Sequence, residues 1–390
     1  MVDPPQLAEA RTWSTKAAEA GIIAAQNNLG VLLARQLDPP EPVEGRVWLT
    51  SAAEAGYTDA QYNLGQLLSG LDPPELAEAR TWFSKAAEAG NTQAQYDLGR
   101  LLARLDPPEL AEARTWFTKA AEAGNTSAQF SLALLLGNKL KRPELSEART
   151  WYTKAAEAGH AEAQYNLGLL LADRLNPPEL SEARTWYTKA AEAGNTSAQN
   201  NLGALLYSRL DPPEPAEARA WWTKAAEAGH TGAQFNLGQL LSELNPPELV
   251  ESRAWWTKAA EGGNSEAQNN LGALLESQLD PPELSEARTW YTKAAEAGNA
   301  DAQLNLGRFL SRLNPPELVE ARAWLTKAAD AGNGGSVRPP PGEGRLRSVR
   351  PASPSRGCAA VCAGRRWSGR WLRPADRCRA RRARSVMRAL

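Results

Sequence analysis

The 390-residue chain has few of the residues that carry most enzymatic chemistry. It contains two histidines, His160 and His230, and three cysteines, Cys358, Cys362 and Cys378. All three cysteines lie beyond residue 350, so the first 332 residues hold no disulfide framework. With three and fifteen residues between them and no histidine nearby, the cysteines lack the spacing of a zinc module. No run approaches the ~18 apolar residues of a membrane span. Met1-Val-Asp-Pro-Pro-Gln-Leu leads directly into the pattern described below, with no basic and then apolar leader. A soluble, cytoplasmic protein is expected. Ser-x-x-Lys, Lys-Thr-Gly, a phosphate loop and a Gly-rich dinucleotide fingerprint are all missing. The reading therefore assigns no catalytic residue, no cofactor, no metal and no small-molecule substrate.

Net charge is also nearly absent, but only in sum. Residues 1–332 carry 29 Lys and Arg against 43 Asp and Glu, a net of -14, while residues 333–390 carry 15 Arg against 2 acids, a net of +13. These are two physically different segments. The second is rich in Arg, Pro, Gly and Ala without apolar periodicity, and is expected to be disordered. Contact with nucleic acid or an anionic surface is expected only through this tail. A solvated tail, or an out-of-frame extension of GC-rich codons, would have the same composition.

What the chain does have is a repeat. A block of the form Trp-x-x-Lys-Ala-Ala-Glu-Ala-Gly, with occasional single changes, opens at Trp13, Trp48, Trp82, Trp116, Trp151, Trp186, Trp221, Trp255, Trp290 and Trp324. The spacing of 34 or 35 residues is that of stacked supersecondary units. In the copy beginning at Asp59, Ala60, Leu64, Leu67 and Leu68 form the stripe of an amphipathic first helix. A glycine on its flank (Gly30, Gly65, Gly99, Gly168, Gly203, Gly238, Gly272, Gly307; Ala133 in one copy) predicts close approach of a neighbouring helix. A second helix is expected from about Pro74 to Ala89, ended by Gly90 in left-handed geometry. The pairs Asp38/Glu41, Asp72/Glu75, Asp106/Glu109, Asn176/Glu179, Asp211/Glu214, Asn245/Glu248, Asp280/Glu283 and Asn314/Glu317 read as capping boxes, and Lys141-Arg142 as a missing one and a weak point. Glu78, Thr81, Lys85 and Glu88 read as a solvated outer face. His160 and His230 occupy a junction slot that is usually Asn and read as structural.

The blocks Ala-Gln-Tyr-Asn-Leu-Gly and Trp-Tyr-Thr-Lys-Ala-Ala-Glu-Ala-Gly resemble Sel-one-like repeats, a branch of the tetratricopeptide-like helical superfamily, over roughly residues 5–332. The resemblance implies an all-α, right-handed superhelical solenoid of antiparallel helix pairs. Nine pairs are expected after a lone second helix, forming a repeat domain over 1–332 and leaving 333–390 as the tail. It also implies an adaptor or scaffold that binds proteins. The Leu-Asp-Pro-Pro-Glu-Leu link departs from the family's Gly-rich turn, and the paired cysteines of its disulfide-rich bacterial subgroup are missing.

In the family the first helices line the concave surface. Here their outward columns vary most between copies. Partner binding is therefore expected at Tyr62, Gln66, Tyr96, Arg100, Phe130, Tyr165, Phe235, Gln239 and Arg308. The edge column Asn63, Asn166, Asn201, Asn236, Asn270 and Asn305 suits either an extended peptide, whose backbone needs donors and acceptors, or a tie between neighbouring helices. The competing reading is a hydrolase-like enzyme on a repeat scaffold.

Overall fold

Alanine, leucine and glutamate are abundant in the repeats and favour helix, and helix is what forms. The computed structural model describes residues 4–333 apart from 38, 141–142 and 278–280. A lone second helix, Pro4–Glu19, is followed by successive helix pairs, of which Thr58–Ser69 with Leu76–Glu88 is typical. There is no strand among the described residues. The chain divides into two compact units, Met1–Trp221 and Trp222–Leu390. Within each, a helix packs on the next in sequence, and each pair stacks on the pair after it. The expected disorder of the tail falls outside the described residues.

The core of a repeat is built on the predicted first-helix stripe and the facing side of the second helix. Ala60, Leu64 and Leu68 face Ala79, Phe83, Ala86 and Ala87, and all are buried. Each large apolar side chain so removed from water stabilises by about 1.5–3 kcal/mol. The flanking glycine is where the two helices come closest. A Cβ on Gly65 would lie 2.7 Å from the Phe83 ring, and one on Gly99 2.7 Å from Phe117. Gly90 ends the second helix at φ +90°, and Asn91 N–H bonds back to the Ala86 carbonyl at 3.0 Å.

Three of the five 35-residue repeats absorb their extra residue as a π-helical turn at the end of the first helix, over Leu32–Gln36, Leu135–Lys139 and Leu170–Arg174. A π-turn adds one residue without breaking the helix, so the stack keeps its register.

Among the described residues the capping boxes are not there; Asp38 and Asp280, the caps of two of them, lie outside the described residues. The second helix starts at Leu76 rather than Pro74, and Glu75, at the N-cap position, makes no side-chain capping bond. The carboxylate of Glu75 is taken by the preceding repeat: Arg46 forks onto it at 2.8 and 2.9 Å and reaches Glu78 at 2.6 Å. The same fork joins Arg11 to Glu41, Arg80 to Glu109, Arg114 to Glu144, Arg149 to Glu179 and Arg184 to Glu214 in the first unit. In the second unit it joins Arg253 to Glu283 and Arg288 to Glu317. A bidentate bond to arginine is stronger than one to a backbone N–H, so it wins the glutamate. The weak point expected at Lys141-Arg142 lies outside the described residues, while the Arg114 fork onto Glu144 beside it is kept at 2.9 Å.

The outer face is solvated as expected, with Lys85 exposed and Glu78 half-buried, and its side chains are paired with one another. Glu78 also accepts from Trp82 Nε1 at 3.3 Å, and Lys85 Nζ lies 4.1 Å over the Trp82 ring. Thr81 and Glu88 are exposed as expected.

Side-chain capping occurs instead on the first helices. Asn91, Asn125, Asn195, Asn264 and Asn299 accept from the backbone N–H three residues on. His160 and His230 do the same through Nδ1, at 3.2 and 3.1 Å. Burial pushes the His230 pKa down, in keeping with a neutral ring whose Nδ1 is an acceptor. A buried glutamine completes each junction. Gln61 Nε2 donates to the Ala53 carbonyl at 3.2 Å and Gln95 Nε2 to that of Ala87 at 3.1 Å. These helix-end carbonyls already accept from the Gly56 and Gly90 N–H at 3.1 Å, and the glutamine adds a second donor.

Candidate functional site

The first helices carry the variable columns, and their side chains are neither free nor fully buried. Tyr62, Tyr96, Phe130 and Tyr165 are half-buried. Each ring leans on the core aromatic of its own repeat: Tyr62 on Phe83, Tyr96 on Phe117 and Phe130 on Tyr152, all with centroids 6.1 Å apart, and Tyr165 on Tyr187 at 6.2 Å. Gly65, Gly99 and Gly168 let the core aromatic approach the first helix in three of these repeats, and the small Ala133 stands at the same place beside Phe130 and Tyr152. The four rings form a second aromatic layer whose outer edges meet solvent. Phe130 is also stacked on His160 at 4.7 Å.

Around Tyr62 the structure assembles a polar network across three repeats. Tyr62 Oη donates to Asp97 Oδ2 at 3.1 Å. Burial, then the Asp97 carboxylate, pushes the Tyr62 phenol up to about 12. Gln66 Nε2 makes a short contact with the same hydroxyl, while its Oε1 accepts from Arg35 at 2.8 Å. Arg100 pairs with Asp97 at 3.2 Å and lies 5.5 Å from the centre of the Tyr96 ring. A cleft of ≈590 Å³ opens beside this network, with Phe83 and Leu101 in its wall and Arg35, Gln66, Arg100 and Arg104 around it. The expected residues Tyr62, Gln66, Tyr96 and Arg100 are thus brought together.

The asparagine column behaves chiefly as a tie. Asn63 Nδ2 donates to Asn27 Oδ1 at 2.9 Å, one repeat back. Asn201 bonds Tyr165, and Asn166 turns to the Glu162 carbonyl of its own helix at 2.8 Å. In the second unit Asn305 donates to Asn269 at 2.9 Å and Asn270 to Gln239 at 3.0 Å. Phe235 and Asn236 are half-buried there, as is Arg308. Phe235 packs on the cluster that contains Trp256. Leu304, which falls in the aromatic column, is buried.

Three residues of the network escape a reading of columns: Arg35, Asp97 and Arg104. Only Asp97 left a signal, as an acid in the column that otherwise holds mostly asparagine. Among the described residues no group of three or more His, Cys, Asp or Glu could hold a metal ion, and no helix is long and apolar enough to cross a membrane.

Comparison with known proteins matches this geometry to one family. The Sel1 repeat model matches ten consecutive stretches: 3–22, 23–57, 58–91, 92–125, 126–160, 161–195, 196–230, 231–264, 265–299 and 300–333. Among solved structures, c5321, a protective antigen present in uropathogenic Escherichia coli strains and displaying an SLR fold, is 32% identical. That match has a TM-score of 0.71 and covers 85% of this chain and 73% of that one. A Sel1 repeat protein from Oxalobacter formigenes is 31% identical with a TM-score of 0.61, covering 73% of this chain and 87% of that one. No curated protein matches.

Proposed function

Since the chain belongs to the Sel1 repeat family, we propose that it is a non-enzymatic scaffold or adaptor, acting in the cytoplasm and holding a protein or peptide on the face of its first helices. The observation that carries this reading is a contrast between repeats. The Arg–Glu fork, the Trp and its lysine recur with little change, while the outward first-helix side chains differ from copy to copy. A position needed only to build the stack has no reason to vary in this way.

In the first unit the partner surface comprises Tyr62, Gln66, Tyr96, Arg100, Phe130 and Tyr165. Asn63, Asn166 and Asn201 lie at its edge, and there the helix tie is the better-supported role for Asn63. In the second unit the surface comprises Phe235, Gln239 and Arg308, edged by Asn236, Asn270 and Asn305. Aromatic edges set in a layer that cannot collapse suit a peptide that needs rigid anchors. Residues 1–332 act as the binding module and 333–390 as a separate basic extension.

The test is affinity capture with the full chain, compared with Tyr96→Ser/Phe130→Ser, beside a turnover screen over generic hydrolase substrates. Loss of the captured protein in the double variant, with no turnover, is the expected result. Turnover that survives purification would favour the enzyme reading.

A further inference from the structure

The cleft beside Tyr62 differs from its counterparts in one respect. Arg104 closes the first helix Thr92–Arg104, and other repeats have an arginine at the same place. Those arginines are satisfied one repeat back: Arg174 by Asn138, Arg209 by Asp173, and Arg312 by Glu276 at 3.4 Å. The preceding repeat offers Arg104 only Ser69 and Gly70 at that place. Among the described residues no side chain accepts from its guanidinium, which lines the cleft instead.

Arg35, from two repeats earlier, lines the same cleft and engages only the neutral Gln66 amide. Of the two acids in the lining, Asp97 is already taken by Arg100 and Tyr62, and Asp106 is exposed on the loop that follows the helix. Three guanidinium groups against two carboxylates leave a basic cleft in a repeat region whose net charge is -14 by 29 basic against 43 acidic residues. Phe83 and Leu101 give it an apolar wall.

We propose that this cleft takes a carboxylate from an acidic peptide, with Arg104 and Arg35 forking onto the carboxylate and an adjacent apolar side chain covering Phe83 and Leu101. The proposal rests on the first-helix face being the partner surface. A guanidinium binds carboxylate bidentately and stays charged at every physiological pH. The chain's own tail does not fit, since residues 333–390 hold 15 Arg and 2 acids. The carboxylate can come from a side chain or from a peptide C-terminus, and the probes below separate the two.

The experiment is fluorescence anisotropy on the full chain with three labelled peptides. One alternates Leu and Glu with blocked ends, the second replaces every Glu by Gln, and the third is the Gln peptide with a free C-terminal carboxylate. The acidic peptide should bind roughly tenfold more tightly than its Gln counterpart, equivalent to about 1.4 kcal/mol, and the preference should shrink with added salt. Arg35→Gln/Arg104→Gln should abolish the preference and leave Gln-peptide binding unchanged. Both arginines are exposed, so the fold is not at stake. If the free-carboxylate peptide gains as much as the Glu peptide, the chain terminus is the source.

Equal binding of acidic and neutral peptides, both weakened by Tyr96→Ser, would overturn the proposal while leaving the first-helix surface in place. So would a preference that survives loss of both arginines. Binding of none of the three would overturn the proposal together with its premise.

Discussion

The second helix Leu110–Glu122 and the first helix Thr92–Arg104 belong to one repeat and carry opposite kinds of side chain. On the second, Glu109 and Glu112 receive the Arg80 fork, and Lys119 lies 4.2 Å from the centre of the Trp116 ring. The same chemistry recurs at Arg149 with Glu179 and Glu182, and at Lys189 over Trp186. On the first, Tyr96 and Arg100 become Phe130 and Leu134 one repeat on, and Asn200 and Ala204 two repeats further. The difference separates two tasks. A side chain that joins one repeat to the next must be the same in each, because each junction has the same geometry. A side chain that meets a partner is not bound by that symmetry.

The sharpest way to break the stacking side is Trp186→Ala. The indole is 7% exposed, and truncating a large core aromatic costs about 3–5 kcal/mol. In a nearly one-dimensional array the loss should uncouple the flanking repeats, and chemical denaturation should show a broadened or split transition.

A smaller effect is expected from the forks. The Glu109, Glu144, Glu214 and Glu283 carboxyls are held below the usual carboxylate range, chiefly by hydrogen bonds from arginine. A folded pKa depressed in this way gives stability that is full above the unfolded value, about 4.3 for glutamate, and is lost as pH falls through the folded value. Melting temperature should therefore drop on acidification below about pH 4. Arg80→Ala should lower it at neutral pH, less than Trp186→Ala does, with the deficit relative to wild type shrinking at high salt.

On the binding side, Tyr96→Ser/Phe130→Ser should weaken a captured partner at least about tenfold. It also costs stability, on the order of 1 kcal/mol per ring, because both rings lean on core aromatics. A circular dichroism melt separates the two effects.

The smallest effect concerns His230, whose pKa is lowered by burial. Its neutral ring supports the helix start above the unfolded value of about 6.5, and that support is lost as pH falls below it. His230→Asn installs the cap found in other repeats and should remove the small loss of melting temperature as pH falls below about 6.5.

Much of this was legible before any coordinates. The period, the first-helix stripe and the flanking glycine follow from side-chain spacing along a helix, and the structure shows the close approach that Gly65 implies. The capping boxes failed for a reason that local sequence cannot reveal. Asp72 and Glu75 do have the right spacing, but the arginine that claims Glu75 lies 29 residues earlier. The buried column of Gln61 and Gln95, which bridges to carbonyls eight residues back, was hidden by the same limit. At the candidate surface the aromatic column was visible as variation. Its lean on the core was not, because a half-buried position leaves no period of its own. Arg35 and Arg104 enter the cleft through packing across three repeats, which no single-helix projection contains.

The division of tasks between the two helices can be tested most directly by a cysteine footprint within one repeat. Arg100→Cys on the first helix and Thr115→Cys on the second are exposed positions of the same pair, and mass spectrometry distinguishes them from Cys358, Cys362 and Cys378. With the captured partner bound, alkylation at position 100 should slow markedly while position 115 reacts as in the free protein. Protection at 115 with 100 left open would place the partner on the second helices and contradict the account.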